Sequence, residues 1–120
     1  MTHRHVLIVD DDEDTRSSLA VLLEIYGFDV RLAENGAAAL ARLRCEPPPC
    51  LVVLDLMMPE MNGWELRSRM LADPELAQLK VLVVSGVADL DDKARRLGAV
   101  DYLAKPVDFE RLLAAVRANC

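Results

Sequence analysis

Short apolar runs alternate along the chain with segments whose apolar residues recur at helical spacing. The runs are rich in valine and leucine and occupy residues 5–9, 29–32, 51–54, 81–84 and 102–104. Runs of this length without polar alternation are typical of strands buried on both faces. In the last segment the apolar residues fall at i, i+3, i+4 and i+7, which predicts a helix with one apolar face formed by Phe109, Leu112, Leu113 and Val116.

Glycine and asparagine mark where the helices between these strands begin or end. The first helix is predicted over residues 14–26. Small or capping residues are expected to end the first helix, start the second, lie near the start of the third and end the fourth: Gly27, Asn35-Gly36, Gly63 and Gly98. The predicted order is therefore a strand followed by a helix, repeated five times.

This alternation predicts an α/β fold. Strands joined through helices run parallel and connect by right-handed crossovers, so the chain should form a doubly wound, five-stranded parallel sheet with five helices on its two faces. In such sheets, ligands bind beyond the carboxyl ends of the strands. Residues that follow the strand ends are therefore the candidates for function.

Size and charge narrow the class of protein and its ligands. A chain of 120 residues fits one ordinary domain, so we expect a single domain over residues 1–120. The apolar runs are far shorter than the ~18 residues of a membrane span, and the first residues lack a signal-peptide core, which predicts a cytoplasmic protein without membrane contact. The net charge of −6 argues against direct nucleic-acid binding, because phosphate backbones need a basic surface.

The cysteines Cys45, Cys50 and Cys120 form an odd set in a chain without a secretory signal. We expect them to be reduced thiols with no special role. Cys45 and Cys50 have no second Cys/His pair that would complete four ligands, which argues against a zinc site.

Polar side chains that can carry chemistry follow four of the predicted strands. Three aspartates follow the first strand, Asp55 ends the third, Ser85 follows the fourth and Lys105 follows the fifth. Carboxylates held close together repel one another, and Mg²⁺ with its preference for oxygen ligands is the natural ion to join them. A metal, an ammonium, a hydroxyl and a nucleophilic carboxylate are the groups needed for phosphoryl transfer onto aspartate. The three aspartates are Asp10, Asp11 and Asp12.

Four motifs occur in order over nearly the whole chain: VLIVDDD, LVVLDLMMPEMNG, VLVVSG and DYLAKP. Together they resemble the receiver domain of two-component response regulators. The resemblance implies the flavodoxin-like strand order 2-1-3-4-5 and a role in phosphorelay signal transduction. It implies that a sensor histidine kinase or a histidine phosphotransfer protein donates the phosphoryl group, and that the chain is a signalling domain rather than an enzyme, catalysing only its own phosphorylation and dephosphorylation.

The resemblance also assigns roles to individual residues. Asp55 is implied to be the phosphoacceptor, and Mg²⁺ is implied to be held by Asp10, Asp11, Asp55 and the backbone carbonyl of Met57. Asp12 falls where the family does not need an acid, and it suits the start of a helix instead.

A second group of residues is implied to transmit the signal. Lys105 corresponds to the lysine that contacts the phosphoryl group, Ser85 to the switch hydroxyl and Tyr102 to the switch aromatic. The Lys105-Pro106 bond resembles the family's cis peptide. The output surface is implied to involve the fourth helix, the fifth strand and the fifth helix; the downstream effector and the oligomeric state stay undecided.

Other functions agree less well with the loop after the first strand. A phosphatase of the haloacid dehalogenase type needs a hydroxyl residue at the fifth position of an Asp-x-Asp-x-Thr motif, where this chain has Asp14. An EF-hand starting at Asp10 would place Thr15 at the required glycine and Val21 at the required glutamate. A flavin phosphate would be repelled by the acids of this loop, which contains no glycine.

Overall fold

The chain folds as one parallel sheet with helices on both faces. A computed structural model describes residues 5–120, and the strands within them are β1 (His5–Val9), β2 (Asp29–Ala33), β3 (Leu51–Leu54), β4 (Val81–Ser85) and β5 (Asp101–Ala104). The helices are α1 (Glu13–Ile25), α2 (Gly36–Cys45), α3 (Gly63–Ala72), α4 (Leu90–Arg96) and α5 (Phe109–Asn119). The strand order is β2-β1-β3-β4-β5 and every neighbouring pair is parallel, which confirms the predicted fold.

Two hydrophobic cores lie on opposite faces of the sheet, because side chains of a strand alternate between its faces. Along β3, for example, Leu51 and Val53 contribute to one core while Val52 and Leu54 contribute to the other. Helices α1 and α5 cover the first of these faces, and α2, α3 and α4 cover the second. Both faces are covered by helices, so β1, β3 and β4 consist of continuous buried residues.

The predicted helix boundaries are confirmed to within about one residue. Asn35 caps α2 and Asn62 caps α3, each through a side-chain oxygen that accepts a hydrogen bond from a backbone N–H of the first turn. Gly27 follows α1 with a φ of 91° and Gly98 follows α4 with a φ of 67°. These are left-handed conformations in which a side chain is disfavoured, which explains why glycine ends both helices.

The apolar stripe predicted on α5 is confirmed except at its first position. Leu112, Leu113 and Val116 are buried in the core with α1, but Phe109 is 46% exposed. Phe109 is the first residue of α5 and lies over a groove that it shares with Ser18 and Val107. The stripe predicted the buried face correctly and did not show that its first residue lies over an open groove.

The cysteine prediction is wrong for two of the three residues. Cys50 and Cys120 are joined in a disulfide, whereas Cys45 is free and exposed. The partners are separated by 70 residues in sequence, and they meet because the last turn of α5 returns to the start of β3. Spacing along the chain could not show this proximity.

Within residues 5–120, none of the helices is both long and apolar enough to cross a membrane.

Candidate functional site

Two buried carboxylates lie at the carboxyl edge of the sheet, the edge where the parallel strands end. Asp10 follows β1 and is 2% exposed; Asp55 follows β3 and is 5% exposed. Backbone hydrogen bonds continue the sheet to this point, since Asp10 N–H donates to the Ala33 carbonyl at 3.2 Å and Asp55 N–H donates to the Val9 carbonyl at 3.0 Å. The strands thus fix the position of both carboxylates.

Lys105 joins these two carboxylates. Its ammonium Nζ lies 2.8 Å from Asp10 Oδ2 and 3.0 Å from Asp55 Oδ2, with 27% of the lysine side chain exposed. Lys105 follows β5, its backbone N–H donates to the Ser85 carbonyl at 3.1 Å, and the Lys105-Pro106 peptide is cis, as the family resemblance implied. One cation therefore contacts both buried carboxylates.

The local environment shifts the pKa of two of these groups. Burial raises the pKa of the Asp10 carboxyl, and hydrogen bonds from Lys105 and from the Asp12 N–H only partly oppose this shift. Burial alone would lower the pKa of Lys105, but its hydrogen bonds to Asp10 and Asp55 outweigh burial and raise it. Lys105 consequently remains charged at neutral pH and offsets part of the negative charge of the site.

Three carboxylates at this edge could share one metal ion. Oxygen atoms of Asp10, Asp11 and Asp55 all lie within 4.8 Å of one another, and Asp11 is exposed. This all-oxygen donor set, with one side open to water, fits Mg²⁺, which favours carboxylates and retains several water ligands. Asp12 is the N-cap residue of α1 and its Oδ2 accepts a hydrogen bond from Thr15 Oγ1, so its side chain is engaged with the first turn of the helix.

The loop after β3 holds the Asp55 carboxylate from a second side. The backbone N–H of Met57 donates to Asp55 Oδ1 at 3.2 Å, and the Met57 side chain is 62% exposed. The loop ends at Gly63, whose N–H donates to the Leu56 carbonyl at 3.1 Å. A Cβ on Gly63 would lie only 2.5 Å from the Asp55 carbonyl oxygen, so glycine allows α3 to start directly against the backbone of Asp55.

Ser85 and Tyr102 lie beside this site on neighbouring strands. Ser85 ends β4, is 0% exposed, and its Oγ has no hydrogen-bond partner among the residues that the structure describes. Tyr102 lies on β5, pairs in register with Val83 and is 39% exposed. The buried hydroxyl of Ser85 and the exposed ring of Tyr102 therefore lie on adjacent, hydrogen-bonded strands.

Two arginines near these elements were not predicted as structural anchors. Arg16 extends from the first turns of α1, and its Nη1 donates to the carbonyl oxygen of Asp10 at 2.7 Å. Arg67 is 5% exposed in α3, and its Nε donates to the Leu97 carbonyl at 2.9 Å, at the end of α4. Its other guanidinium nitrogens reach two further backbone carbonyls, and burial lowers its pKa. The one available signal was the position of Arg67 next to Leu66 on a helix with an apolar face.

Comparison with known proteins identifies the family. The family model of the response regulator receiver domain matches residues 6–117 of the chain. The chain belongs to this family. The protein PilH of Pseudomonas aeruginosa is 38% identical over 115 residues, which cover 94% of this receiver domain and 94% of PilH.

Solved structures agree with this assignment. The receiver domain matches a response regulator receiver protein from Pseudomonas putida with a TM-score of 0.90 and 32% identity, covering 98% of each chain. The Vibrio cholerae chemotaxis protein CheY4 has the same fold, with a TM-score of 0.88 and 24% identity. The order β2-β1-β3-β4-β5 is thus the fold of receiver domains.

Several curated relatives are longer proteins. The transcriptional regulator RpaA of Synechocystis sp., described as DNA-binding, is 37% identical over 115 residues, which cover 94% of this chain but 47% of RpaA. The chain spans about half the length of such relatives and nearly all of PilH. The match therefore concerns the receiver portion of the longer proteins.

Proposed function

We propose that residues 1–120 form a single receiver domain that accepts one phosphoryl group on Asp55 and passes the signal on through a changed surface. The observation that carries this proposal is the contact of Lys105 Nζ with both Asp55 and Asp10 at the carboxyl edge, at 3.0 and 2.8 Å. A carboxylate at the end of a buried strand is fixed in position, as a nucleophile must be. The ammonium beside it offsets charge on the incoming phosphoryl group.

Mg²⁺ is the proposed cofactor, with Asp10, Asp11, Asp55 and the backbone carbonyl of Met57 as ligands. The support is the closeness of the three carboxylates, whose oxygens lie within 4.8 Å of one another. When bound, the ion neutralises charge on the phosphoryl oxygens. An Asp55 oxygen would attack phosphorus while the P–N bond to the histidine of the donor breaks and its imidazole leaves with the bonding electrons; Lys105 keeps its proton and stabilises the charge that develops.

Ser85 and Tyr102 are the proposed switch residues. The Ser85 hydroxyl is completely buried and lacks a partner among the described residues, an arrangement that costs about 1–3 kcal/mol. A phosphoryl oxygen on Asp55 would give this hydroxyl an acceptor, since β3 and β4 are neighbours in the sheet. Movement of Ser85 toward it would leave space for the exposed ring of Tyr102 to turn inward, changing the surface of α4, β5 and α5.

The proposed phosphodonor is a sensor histidine kinase or a histidine phosphotransfer protein, with the chain acting in the cytoplasm. Exposed apolar side chains on α1 and at the start of α5 support docking of a protein partner, since a cluster of this kind is typical of an interaction surface, and one of them, Phe109, lines a groove together with Lys105. They are Val21, Ile25 and Phe109, which are 58%, 73% and 46% exposed. No nucleic acid is proposed as a direct ligand; the effector and the oligomeric state are left undefined.

The first test uses a small phosphodonor such as acetyl phosphate with Mg²⁺, followed by intact-mass measurement. We expect one phosphoryl group on the wild type and none on Asp55→Asn, because the amide is a poor nucleophile. Asp12→Asn is the matched control and should keep the label. It removes an acid from the same edge of the sheet, but the Asp12 side chain is engaged with Thr15. Equal labelling of Asp55→Asn would contradict the proposed phosphoacceptor.

The second test separates phosphorylation from the surface change. In Lys105→Ala we expect some phosphorylation, but we expect the phosphorylation-dependent change in hydrogen exchange between Ser85 and Tyr102 to be lost. Lys80→Ala is the matched control, because Lys80 contacts the Asn119 carbonyl at the far end of α5. A Lys105→Ala protein whose exchange still responds to phosphorylation as the wild type does would refute the role of Lys105 in the switch.

A further inference from the structure

A pair of cysteines lies at the amino edge of the sheet, opposite the edge that carries Asp55. Cys50 directly precedes β3 and Cys120 is the C-cap residue of α5. Their Cα atoms are 5.2 Å apart and their sulfur atoms are bonded. Disulfides form when the Cα atoms lie within about 4.4–6.8 Å, so the fold itself brings these residues to bonding distance.

The backbone on each side of this pair is held by interactions that do not involve sulfur. The Cys50 N–H donates to the His5 carbonyl at 2.9 Å, and the Cys120 N–H donates to the Val116 carbonyl at 2.9 Å. Lys80 connects the two segments. Its carbonyl oxygen accepts a hydrogen bond from the Val52 N–H at 2.9 Å, and its Nζ donates to the Asn119 carbonyl at 3.4 Å. The fold would therefore keep the two residues close after the sulfur bond is broken.

Both sulfur atoms belong to residues that are only half buried, at the margin of the core between the sheet and α1 and α5. A small reagent in solution can reach residues in such a position. Cys50 Sγ also lies 3.2 Å from the His5 carbonyl oxygen, which would accept a hydrogen bond from the thiol in the reduced form. The site thus accommodates both the disulfide and the two thiols.

We propose that Cys50 and Cys120 are a reversible thiol–disulfide site whose oxidation fastens the end of α5 to the start of β3. The co-reactant is a low-molecular-weight disulfide. A thiolate of one cysteine attacks it, forming a mixed disulfide and releasing one thiol. The thiolate of the other cysteine then attacks the protein sulfur of that mixed disulfide and releases the second thiol. Two protein thiols are oxidised and one small disulfide is reduced to two thiols.

The folded structure should strongly favour the bond. The two cysteines are separated by 70 residues, and closing a loop of this size in an unfolded chain carries a large entropy cost. Because the native fold has already brought the cysteines together, the equilibrium constant for disulfide formation should be greater in the native state than in the unfolded state. The expected ratio is roughly a hundredfold to a thousandfold. Cys45, which lies in the last turn of α2 and is exposed, has no such advantage.

The test equilibrates the protein in buffers with different ratios of reduced to oxidised glutathione, then alkylates free thiols and measures intact mass. Under oxidising conditions the wild type should accept one alkyl group, at Cys45, and under reducing conditions three. Cys45→Ser should accept no alkyl group under oxidising conditions and two under reducing conditions, and the midpoint of its glutathione titration should equal that of the wild type. Repeating the titration of Cys45→Ser in concentrated urea should lower the midpoint, expressed as the squared concentration of reduced glutathione divided by that of oxidised glutathione, by the factor given above.

Several outcomes would overturn the proposal. One is an equilibrium constant that is the same in native buffer and in urea, because the fold would then contribute nothing. Another is a wild type that accepts three alkyl groups at every glutathione ratio. A third is loss of oxidation in Cys45→Ser, which would assign the disulfide to a different pair. In Cys120→Ala, which retains the α5 core residues, the internal disulfide should be lost; if it persists, Cys120 is not a partner.

Hydrogen exchange tests the effect on structure. Reduction of the wild type should lower protection of the amides in the last turn of α5, between Ala115 and Cys120, and leave α3 unchanged. Cys120→Ala should show the low protection under both conditions, because it cannot form the bond. Equal protection of α5 in the oxidised and reduced wild type would show that the disulfide does not fasten this helix.

Discussion

The start of α3 against the backbone of Asp55 provides a quantitative prediction. A Cβ placed on Gly63 would lie 2.5 Å from the Asp55 carbonyl oxygen, 2.8 Å from Leu56 Cα and 2.9 Å from Leu56 Cδ2. Ordinary contact begins at 3.4 Å, so the closest pair must separate by about 0.9 Å. Two of the three atoms belong to the backbone and cannot rotate away. In Gly63→Ala, either the start of α3 or the backbone of Asp55 must therefore move.

The expected loss of stability follows from two opposing terms. Overpacking against a fixed backbone costs about 1–3 kcal/mol, while replacing a helical glycine with alanine returns at most about 1 kcal/mol. We therefore expect Gly63→Ala to lower the free energy of unfolding by about 1–2 kcal/mol. With a urea dependence of about 1–3 kcal/mol/M, this corresponds to a decrease of roughly 1 M in the unfolding midpoint. The change should also slow phosphorylation by acetyl phosphate, because Asp55 is displaced from its position.

Gly86→Ala is the matched control for this substitution. Gly86 is exposed and follows Ser85, and the nearest heavy atom to an added Cβ is Lys105 Cβ at 4.0 Å. Its free energy of unfolding should stay within about 0.5 kcal/mol of the wild type. Unfolding in urea followed by circular dichroism measures both variants. If Gly63→Ala is as stable as Gly86→Ala and is phosphorylated at the wild-type rate, the close approach of α3 to the Asp55 backbone is refuted.

Two further predictions concern the proposed metal site and the anchor of α4. Asp11→Ala should weaken Mg²⁺ binding in a calorimetric titration more than Asp12→Ala does, because Asp11 contributes an oxygen to the carboxylate cluster whereas Asp12 accepts a hydrogen bond from Thr15; equal losses would refute this assignment. Arg67→Met should lower the free energy of unfolding by about 1–3 kcal/mol and increase hydrogen exchange in α4, because three backbone carbonyls lose their guanidinium donor. Unchanged exchange in α4 would show that Arg67 does not hold this helix.

The sheet and the positions of the site residues could be predicted because both depend on local pattern. A buried parallel strand needs an uninterrupted apolar run, and such runs end at the polar residues that lie at the carboxyl edge. Asp10 and Asp55 were located in this way, and their burial to 2% and 5% exposure is consistent with it. The roles proposed for Tyr102 and Met57 rest only on the family resemblance, since neither residue differs in pattern from an ordinary strand or loop position.

Contacts that depend on how a particular side chain packs against a neighbouring element could not be predicted. The disulfide between Cys50 and Cys120, the guanidinium of Arg67 at the end of α4 and the contact of Arg16 with the Asp10 carbonyl each depend on how separate elements pack. Apolar periodicity shows that a helix packs on the sheet but not which of its polar side chains reach a neighbouring element. A buried arginine that bonds only to carbonyl oxygens leaves no charge pattern in the sequence, because it has no acidic partner to be noticed.

The two ends of β3 carry different chemistry, and the geometry of the strand keeps them apart. Cys50 precedes β3 and Asp55 follows it, so five residue steps of about 3.3 Å place them roughly 16 Å from each other. At this distance, with β1 and β4 hydrogen-bonded on either side of β3, oxidation cannot alter the carboxylate site through direct contact. Besides β3, the two sites share α5, which begins three residues after Pro106 and is followed by its C-cap residue Cys120. Any influence of the disulfide on signalling would therefore act through the mobility of α5 rather than through the chemistry of Asp55.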